Sequence, residues 1–155
     1  MEKTFQFDTA VNQIKLEVKN SDEALKKISS LLYSFGYVKD TYSDAIIARE
    51  KLFPTGLPFE KCGVALPHTD CCHVNKPMIA ICTLKTPVTF QNMGDASQPV
   101  SVKIIFMLAM KKSENQLQLL SELMENLQDN MLMENLLQTD SAKEITALMA
   151  GRITV

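Results

Sequence analysis

The sequence lacks several features that would place it in common functional classes. No apolar run approaches the roughly 20 residues of a membrane-spanning helix, and the first ten residues contain no apolar signal core. There is no glycine-rich phosphate loop of the nucleotide-binding kind and no Gly-x-Ser-x-Gly motif of a serine hydrolase. The formal net charge of −2 disfavours a surface for nucleic acid or anionic membranes. We therefore expect a cytoplasmic protein with no nucleic-acid partner.

Cysteine and histidine are also scarce, at four and two residues. Without a secretion signal, reduced thiols are expected rather than disulfides, and scattered thiols are typical of small core residues. Cys71 and Cys72 do lie between His68 and His73, and histidine and thiolate are zinc ligands. However, adjacent cysteines cannot easily share one tetrahedral ion with both histidines, and the other two cysteines form no Cys-x-x-Cys pair. We expect no metal site, and a small zinc-binding protein stays open as an alternative.

The remaining composition is that of a globular protein. Of the 155 residues, 46% are hydrophobic and 22% are charged, which is enough for one domain with a core of its own. No linker, low-complexity stretch or internal repeat interrupts the chain. We therefore treat residues 1–155 as a single domain.

The first part of the chain predicts a strand followed by a helix. Apolar and polar residues alternate from Ile14 to Val18, which indicates a strand with one buried face. Asn20 is a helix cap with Glu23 in the capping-box position, and apolar residues then recur at helical spacing until Gly36 ends the helix. A second helix opens at Asp40 or Thr41 and stops before Pro54.

The rest of the chain mixes strands and helices. Residues 53–58, FPTGLP, hold two prolines and a glycine and predict a loop. Apolar strands are predicted at residues 64–66, 78–84 and 102–109, with a short strand and a turn within residues 88–100. Residues 116–127 predict an amphipathic helix, and Ser141 with Glu144 caps a last one. The pattern predicts an α/β fold with a sheet covered on both faces.

His68 is the strongest candidate for chemistry. Pro67 stops the ladder of a short buried strand, so His68 lies where that strand emerges into a loop. A neutral imidazole, with an unperturbed pKa of about 6.5, can take a phosphoryl group on one nitrogen when a hydrogen bond pins the other. A lone histidine can equally be structural, but the strand-end position and the Thr69 hydroxyl and Asp70 carboxylate that follow favour function.

Arg49 is the second candidate. It ends a helix whose following loop returns towards His68, and a guanidinium there would stabilise added negative charge with paired donors. Arg49 could instead be a solvated surface charge, and Glu50 could orient it or be solvated itself. His73 is expected to be an exposed loop residue. The nine methionines are either core filler or an exposed rim for docking.

Three segments together resemble a known family. They are Arg49-Glu50, the FPTGLP stretch of residues 53–58, and the GVALPHT run of residues 63–69. At this spacing they resemble the IIA components of the bacterial sugar phosphotransferase system, of the fructose–mannitol type. The similarity spans nearly the whole chain. The Pro-Thr-Gly-Leu-Pro stretch and the Pro-His-Thr ending are most similar to the galactitol branch.

The resemblance implies a single-domain mixed β-sheet flanked by α-helices, with no cofactor. It implies that His68 accepts a phosphoryl group from the phosphocarrier protein HPr and that Arg49 supports the phosphohistidine, with Thr69 and Glu50 as further supports. The group then passes to a cysteine or histidine of a IIB component, and through the membrane component IIC to a sugar or sugar alcohol, here galactitol-like. A regulatory module of the same fold, read through its phosphorylation state, is the alternative.

The chain departs from the family pattern at one position. Many members carry a second histidine before a leucine at the start of a helix near the active site, and the equivalent here is Gln116-Leu117. A glutamine can donate a hydrogen bond to a phosphoryl oxygen but cannot be protonated for the task. Gln116 is therefore a candidate support with altered chemistry.

Overall fold

The computed structural model describes residues 5–112 and 116–154. Within these ranges, five strands form one mixed sheet in the order β1-β4-β5-β3-β2. The strands are β1 (Gln13–Leu16), β2 (Gly56–Pro58), β3 (Gly63–Ala65), β4 (Met78–Gln91) and β5 (Pro99–Ala109). β1 pairs with β4 and β3 with β5 in parallel, whereas β4–β5 and β2–β3 are antiparallel.

Helices cover both faces of this sheet. They are α1 (Ser21–Ser34), α2 (Tyr42–Leu52), α3 (Gln116–Asn126), α4 (Asn130–Gln138) and α5 (Ala142–Met149), with short 3-10 helices at Thr9–Val11 and Cys71–His73. The α/β fold expected from the sequence is confirmed. Within the described ranges, no helix has the length and apolar character needed to cross a bilayer.

The apolar run of β4 is explained by burial on two sides. Ala80, Cys82 and Leu84 pack in one core cluster with α1 and α2, whereas Ile79 and Ile81 pack in a second cluster with α3, α4 and α5. Successive side chains of a strand point to opposite faces. A central strand covered on both faces therefore reads as a continuous hydrophobic run rather than an alternation.

The helix ends follow the capping signals of the sequence. The Asn20 side chain accepts a hydrogen bond from the Glu23 N–H at 2.9 Å, and Ser141 accepts from the Glu144 N–H at 3.2 Å. Gly36 has a φ of 79°, the left-handed conformation that a helix end commonly needs. Thr41 precedes α2 but makes no side-chain cap.

Two local predictions are wrong because strand pairing overrides the local signal. Gly56–Pro58 lies in the segment expected to be a loop, yet it pairs with β3 as the edge strand β2, where a proline is tolerated. β4 does not stop at Leu84 but continues to Gln91. Its register against β5 shifts between Thr83 and Val88, and this irregular stretch accommodates Pro87. Helix α4 is an element that the sequence interpretation did not include.

The fold brings three distant segments to one edge of the sheet. Beyond β3, the chain stays beside β5, because the Leu108 N–H donates to the Pro67 carbonyl at 2.9 Å and His68 forms a bridge with Leu108. The last turns of α2 carry Arg49, and the first residue of α3 is Gln116. These three segments frame a cavity.

Candidate functional site

The cavity has a volume of about 220 Å³ and contains the first two candidates of the sequence. Its lining combines the segment that follows β3, the C-terminal part of α2, the 3-10 helix Cys71–His73 and the start of α3. The lining residues are Arg49, His68, Thr69, Asp70, Cys71, Cys72, Met110 and Gln116. Both polar and apolar side chains therefore surround a space large enough for a small anionic group.

The His68 ring is held in one tautomer. Its Nδ1 atom lies 2.8 Å from the carbonyl oxygen of Leu66. A carbonyl oxygen only accepts hydrogen bonds, so Nδ1 carries the proton and Nε2 keeps a lone pair. Burial and, to a smaller extent, the Arg49 charge lower the pKa of His68 below 6.5, although the bond to Leu66 opposes the shift. The ring is therefore neutral at pH 7, with Nε2 as its free nucleophilic atom.

Gln116 contacts that free nitrogen. The side-chain nitrogen of Gln116 lies 3.3 Å from His68 Nε2, and since Nε2 has the lone pair, the amide N–H donates to it. The structure thus brings together the two side chains that the sequence placed 48 residues apart. An amide in this position can interact with the ring without itself titrating.

Arg49 has two neighbours at the mouth of the cavity. One guanidinium nitrogen lies 3.8 Å from an oxygen of Asp70, and the guanidinium carbon lies 5.1 Å from the centre of the Phe53 ring. The ring face attracts a cation and limits the directions that the side chain takes. Arg49 therefore presents a positive charge next to His68 while part of that charge is shared with a carboxylate.

Glu50 does not line the cavity. Its two carboxylate oxygens accept hydrogen bonds from the N–H and the hydroxyl of Thr55, each at 2.7 Å. Burial raises the pKa of Glu50 to about 7, and the two Thr55 bonds counteract that rise. Among residues 5–112 and 116–154, no hydrogen bond or ion pair joins Glu50 to Arg49. Thr69, the other expected support, is buried and lines the cavity beside His68.

The second histidine is not the exposed loop residue expected from the sequence. His73 ends the 3-10 helix that follows Asp70. It is half-buried, and its Nδ1 atom forms a hydrogen bond with the Thr41 hydroxyl at 2.8 Å. Thr41 itself has a helical backbone conformation, with φ −80° and ψ −12°, instead of the extended conformation typical of a capping residue. His73 does not line the cavity of His68.

The thiols near His68 are free. Cys71 and Cys72 are exposed, and all four cysteines are unpaired by disulfides. Across the described parts of the chain, no three His, Cys, Asp or Glu side chains are grouped so that they could hold a metal ion. The zinc alternative therefore has no geometric support in those residues.

Sequence reasoning missed Thr55 and Met110. Thr55 lies inside the Pro-Thr-Gly-Leu-Pro stretch, so its presence in a motif was the available signal, but its bond to Glu50 depends on how the segment folds back. Met110 follows β5 directly and forms an apolar part of the cavity wall. Nothing in the local pattern distinguishes it from the other methionines.

Comparison with known proteins gives a consistent assignment. The family model described as "Phosphoenolpyruvate-dependent sugar phosphotransferase system, EIIA 2" matches residues 6–151. The galactitol-specific EIIA component of Escherichia coli strain K12 is 33% identical over 115 residues, covering 74% of this chain and 76% of that protein. The transcriptional regulator ManR of Bacillus subtilis strain 168 is 30% identical over 112 residues, which cover 71% of this chain and 16% of the regulator.

Solved structures agree with the sequence relatives. The NMR structure of the complex between enzyme IIAMtl and phosphorylated enzyme IIBMtl from Escherichia coli contains a chain that is 25% identical, with a TM-score of 0.78. The alignment covers 95% of this chain and 99% of that one. The whole arrangement of sheet and helices is therefore shared with a mannitol-type domain.

Proposed function

Since the chain belongs to the EIIA 2 family of the phosphoenolpyruvate-dependent sugar phosphotransferase system, we propose that it is a phosphocarrier that accepts a phosphoryl group on His68. The observation that carries the proposal is the tautomer of the ring. Nδ1 is occupied by the Leu66 carbonyl at 2.8 Å, and Nε2, on the side of the ring that faces the cavity-lining Gln116, carries the lone pair. The chain thus acts as a phosphotransferase component through a phosphohistidine intermediate.

The transfer needs no proton movement at His68. The Gln116 N–H first releases Nε2, and the Nε2 lone pair then attacks the phosphorus atom carried by a nitrogen of the donor, here HPr. The new N–P bond forms as the donor N–P bond breaks, and the donor nitrogen keeps the electron pair. Nδ1 keeps its proton and its bond to Leu66 throughout. Phosphoryl transfer of this kind depends mainly on positioning and charge stabilisation, so a cofactor is not required.

Arg49 supplies the charge stabilisation in this proposal. Its guanidinium, now near Asp70, would turn part of its donor set towards the phosphoryl oxygens. Charge-assisted bonds from a planar fork match the geometry of a phosphoryl group. The Phe53 ring beneath the guanidinium limits the range of that movement.

Gln116 would change partners during the reaction. In the resting site its amide N–H donates to Nε2. Once Nε2 carries the phosphoryl group, its lone pair is used, and the same N–H can donate to a phosphoryl oxygen. Thr69, buried at the cavity wall, is a further candidate donor.

The proposed partners are HPr as donor and a IIB component with a cysteine or histidine as acceptor. The membrane component IIC takes part only indirectly. The structure of IIAMtl with phosphorylated IIBMtl supports a IIB partner for this fold, and three exposed apolar residues near the site, Leu52, Phe53 and Leu117, suit a transient contact. We propose a cytoplasmic, single-domain carrier, and the galactitol-specific relative favours a galactitol-like sugar alcohol.

Reconstitution with purified components tests this function. HPr labelled by enzyme I and radioactive phosphoenolpyruvate should transfer label to the chain, and the chain should pass it to a galactitol-type IIB faster than to a mannitol-type IIB. No label on the chain would contradict the phosphocarrier function. Label that reaches the mannitol-type IIB equally fast would contradict only the sugar assignment.

The regulatory alternative has one observation in its favour. ManR, a transcriptional regulator, contains a segment 30% identical to this chain. A regulatory module would be labelled by HPr but would pass the group to no IIB protein. The IIB step of the same experiment therefore separates the two functions.

A further inference from the structure

Thr55 lies at the centre of a hydrogen-bonded network behind the cavity. The residue is only 4% exposed. Its hydroxyl donates to one oxygen of Glu50 and its backbone N–H donates to the other, both at 2.7 Å. The carboxylate thereby fixes the rotamer of Thr55. The one O–H of Thr55 is used in the hydrogen bond to Glu50, so this hydroxyl can donate to no other group.

The orientation of Thr55 makes its hydroxyl oxygen a hydrogen-bond acceptor for Leu66, the residue that directly follows β3. With its proton directed at Glu50, the hydroxyl oxygen presents lone pairs on its other side. The Leu66 N–H lies 3.2 Å from that oxygen and 3.3 Å from the Thr55 carbonyl. Leu66 therefore shares its N–H between two acceptors of one residue.

Leu66 connects this network to the proposed acceptor. Its N–H is held by Thr55, and its carbonyl accepts the Nδ1 proton of His68 at 2.8 Å. The next residue, Pro67, has no N–H with which to anchor the following peptide. The Pro67 carbonyl accepts from the Leu108 N–H at 2.9 Å, and this bond holds the backbone on the His68 side of Leu66.

We propose that Thr55 is a positioning residue for His68: oriented by Glu50, it holds Leu66 so that the Leu66 carbonyl selects the ring tautomer with a free Nε2. The inference rests on the proposed function for its catalytic meaning, because only a phosphoacceptor needs that nitrogen free. Neither Thr55 nor Glu50 touches the phosphoryl group. They act through Leu66.

The tautomer has a direct chemical consequence. If the proton moves from Nδ1 to Nε2, the lone pair moves to the side of the ring that faces Leu66, away from the cavity. That form cannot attack an incoming phosphorus atom through Nε2. If the Leu66 carbonyl is less well positioned to accept from Nδ1, the fraction of molecules in the reactive tautomer falls, and the rate of phosphorylation falls in proportion.

The test is ¹⁵N NMR of the His68 ring in unphosphorylated Thr55→Val and Thr55→Ser proteins, together with the rate of labelling by phosphorylated HPr. Valine keeps the shape of threonine but loses the hydroxyl, whereas serine keeps the hydroxyl and loses only the methyl group. We expect Thr55→Val to shift the ring towards the Nε2–H tautomer and to slow labelling about three- to tenfold. Thr55→Ser should stay within about twofold of wild type in rate and keep the wild-type ring signals.

Thr83→Val is the matched control, because Thr83 is also buried and its hydroxyl accepts a backbone N–H, that of Lys15, at 2.8 Å. Thr83→Val should lower the stability of the fold as Thr55→Val does, but it should leave the His68 ring signals unchanged.

Glu50→Gln provides a second variant, since one of the two carboxylate oxygens becomes an NH₂ group that cannot accept from Thr55. It should shift the tautomer in the same direction. Glu122→Gln, which alters a carboxylate that accepts from Thr154, should not.

Two results would overturn the inference: ring signals in Thr55→Val that match wild type, or an equal shift in Thr83→Val. If Thr55→Val does not fold, wild-type ring signals in Glu50→Gln would overturn it as well. The NMR measurement needs no HPr, so it is independent of the proposed function. A tautomer shift with no labelling of wild type would sink the phosphocarrier function and leave the network standing.

Discussion

Arg49 and Asp70 face each other across the mouth of the cavity, with 3.8 Å between a guanidinium nitrogen and a carboxylate oxygen. The pair is loose, and the two side chains are 35% and 75% exposed. A phosphoryl group on His68 would compete with Asp70 for the same guanidinium. In the proposed phosphocarrier, this competition would limit how tightly the phosphoryl group is held, so that the group can also be released.

We expect Asp70→Asn to lengthen the life of the phosphorylated form and to slow transfer to IIB. Exposed ion pairs contribute about 0.2–1 kcal/mol, so the change should be no more than about fivefold. The measurement is a chase of labelled protein with unlabelled IIB. Asp140→Asn, which removes another exposed ion pair, with Lys15, is the control and should behave as wild type. Equal chase rates for Asp70→Asn and wild type would show that Asp70 does not compete.

Arg49→Lys should slow phosphorylation by HPr while hardly changing the melting temperature. Lysine keeps the charge but loses the planar fork, and charge-assisted bonds are worth about 1.5–3 kcal/mol, or roughly ten- to a hundredfold in rate. Arg152→Lys is the control, and it should show the opposite pattern of effects on rate and melting temperature. Arg152 bonds the Leu148 carbonyl and the Asn126 side chain, so its change should lower the melting temperature and spare the rate. An unchanged rate in Arg49→Lys would mark Arg49 as a surface charge.

The sequence predicted the parts of the fold that have local causes. Asn20 and Ser141 cap helices by short-range bonds to residues three positions later, which any sequence reading can find. Helix α4 had a local signal too, because the Asp129 side chain accepts from two N–H groups of its first turn. The sequence interpretation assigned no helix there, and it treated the methionines of this segment as core filler or as an exposed rim for docking.

The misjudged parts depend on contacts between distant segments. β2 forms by pairing with β3, and its first residue has to be glycine, because a Cβ on Gly56 would lie 2.6 Å from the Gln91 carbonyl oxygen at the end of β4. The hydrogen bonds of Glu50 likewise depend on Thr55 folding back towards it, which spacing alone does not reveal. His68, Arg49 and Gln116 were predictable as a set only through the resemblance to a family, since 48 residues separate His68 from Gln116.

Gln116→Ala should reduce the rate of phosphorylation only severalfold. The amide makes one neutral hydrogen bond to His68 Nε2, and such a bond is worth about 0.5–1.5 kcal/mol. Gln116→His would put a second titratable ring beside the first and should change the pH–rate profile between roughly pH 6 and 7.5. Profiles of both variants that overlay wild type would place Gln116 outside the reaction.

Glu50 should make the stability of the fold depend on pH. Burial raises its pKa from 4.5 to about 7, so between these values the folded state binds more protons than the unfolded state. The contribution of Glu50 to the free energy of unfolding should therefore be largest below pH 4.5 and should be lost as the pH rises through 7, a fall on the order of 3 kcal/mol. Glu50 lines a cavity together with Asp22 and Lys51, which pair with each other at 3.8 Å.

Urea unfolding of wild type and Glu50→Gln from pH 5 to 8 measures this dependence. Both proteins carry His68→Ala in this comparison, because a change at Glu50 would also alter the hydrogen bond that acts on the pKa of His68. The difference between the two curves then isolates Glu50. Glu122→Gln serves as a control for the loss of a carboxylate that is not buried. Parallel curves for wild type and Glu50→Gln would mean that Glu50 titrates normally in the folded protein.

The most direct test of the phosphocarrier function is labelling by phosphorylated HPr in a histidine pair, His68→Ala and His73→Ala. His73 is the matched control, since its ring is bonded to Thr41 and lies outside the cavity. We predict an acid-labile, base-stable phosphate on wild type and on His73→Ala, and none on His68→Ala. Label on His68→Ala, or its loss from His73→Ala, would contradict the assignment of His68 as the phosphoacceptor.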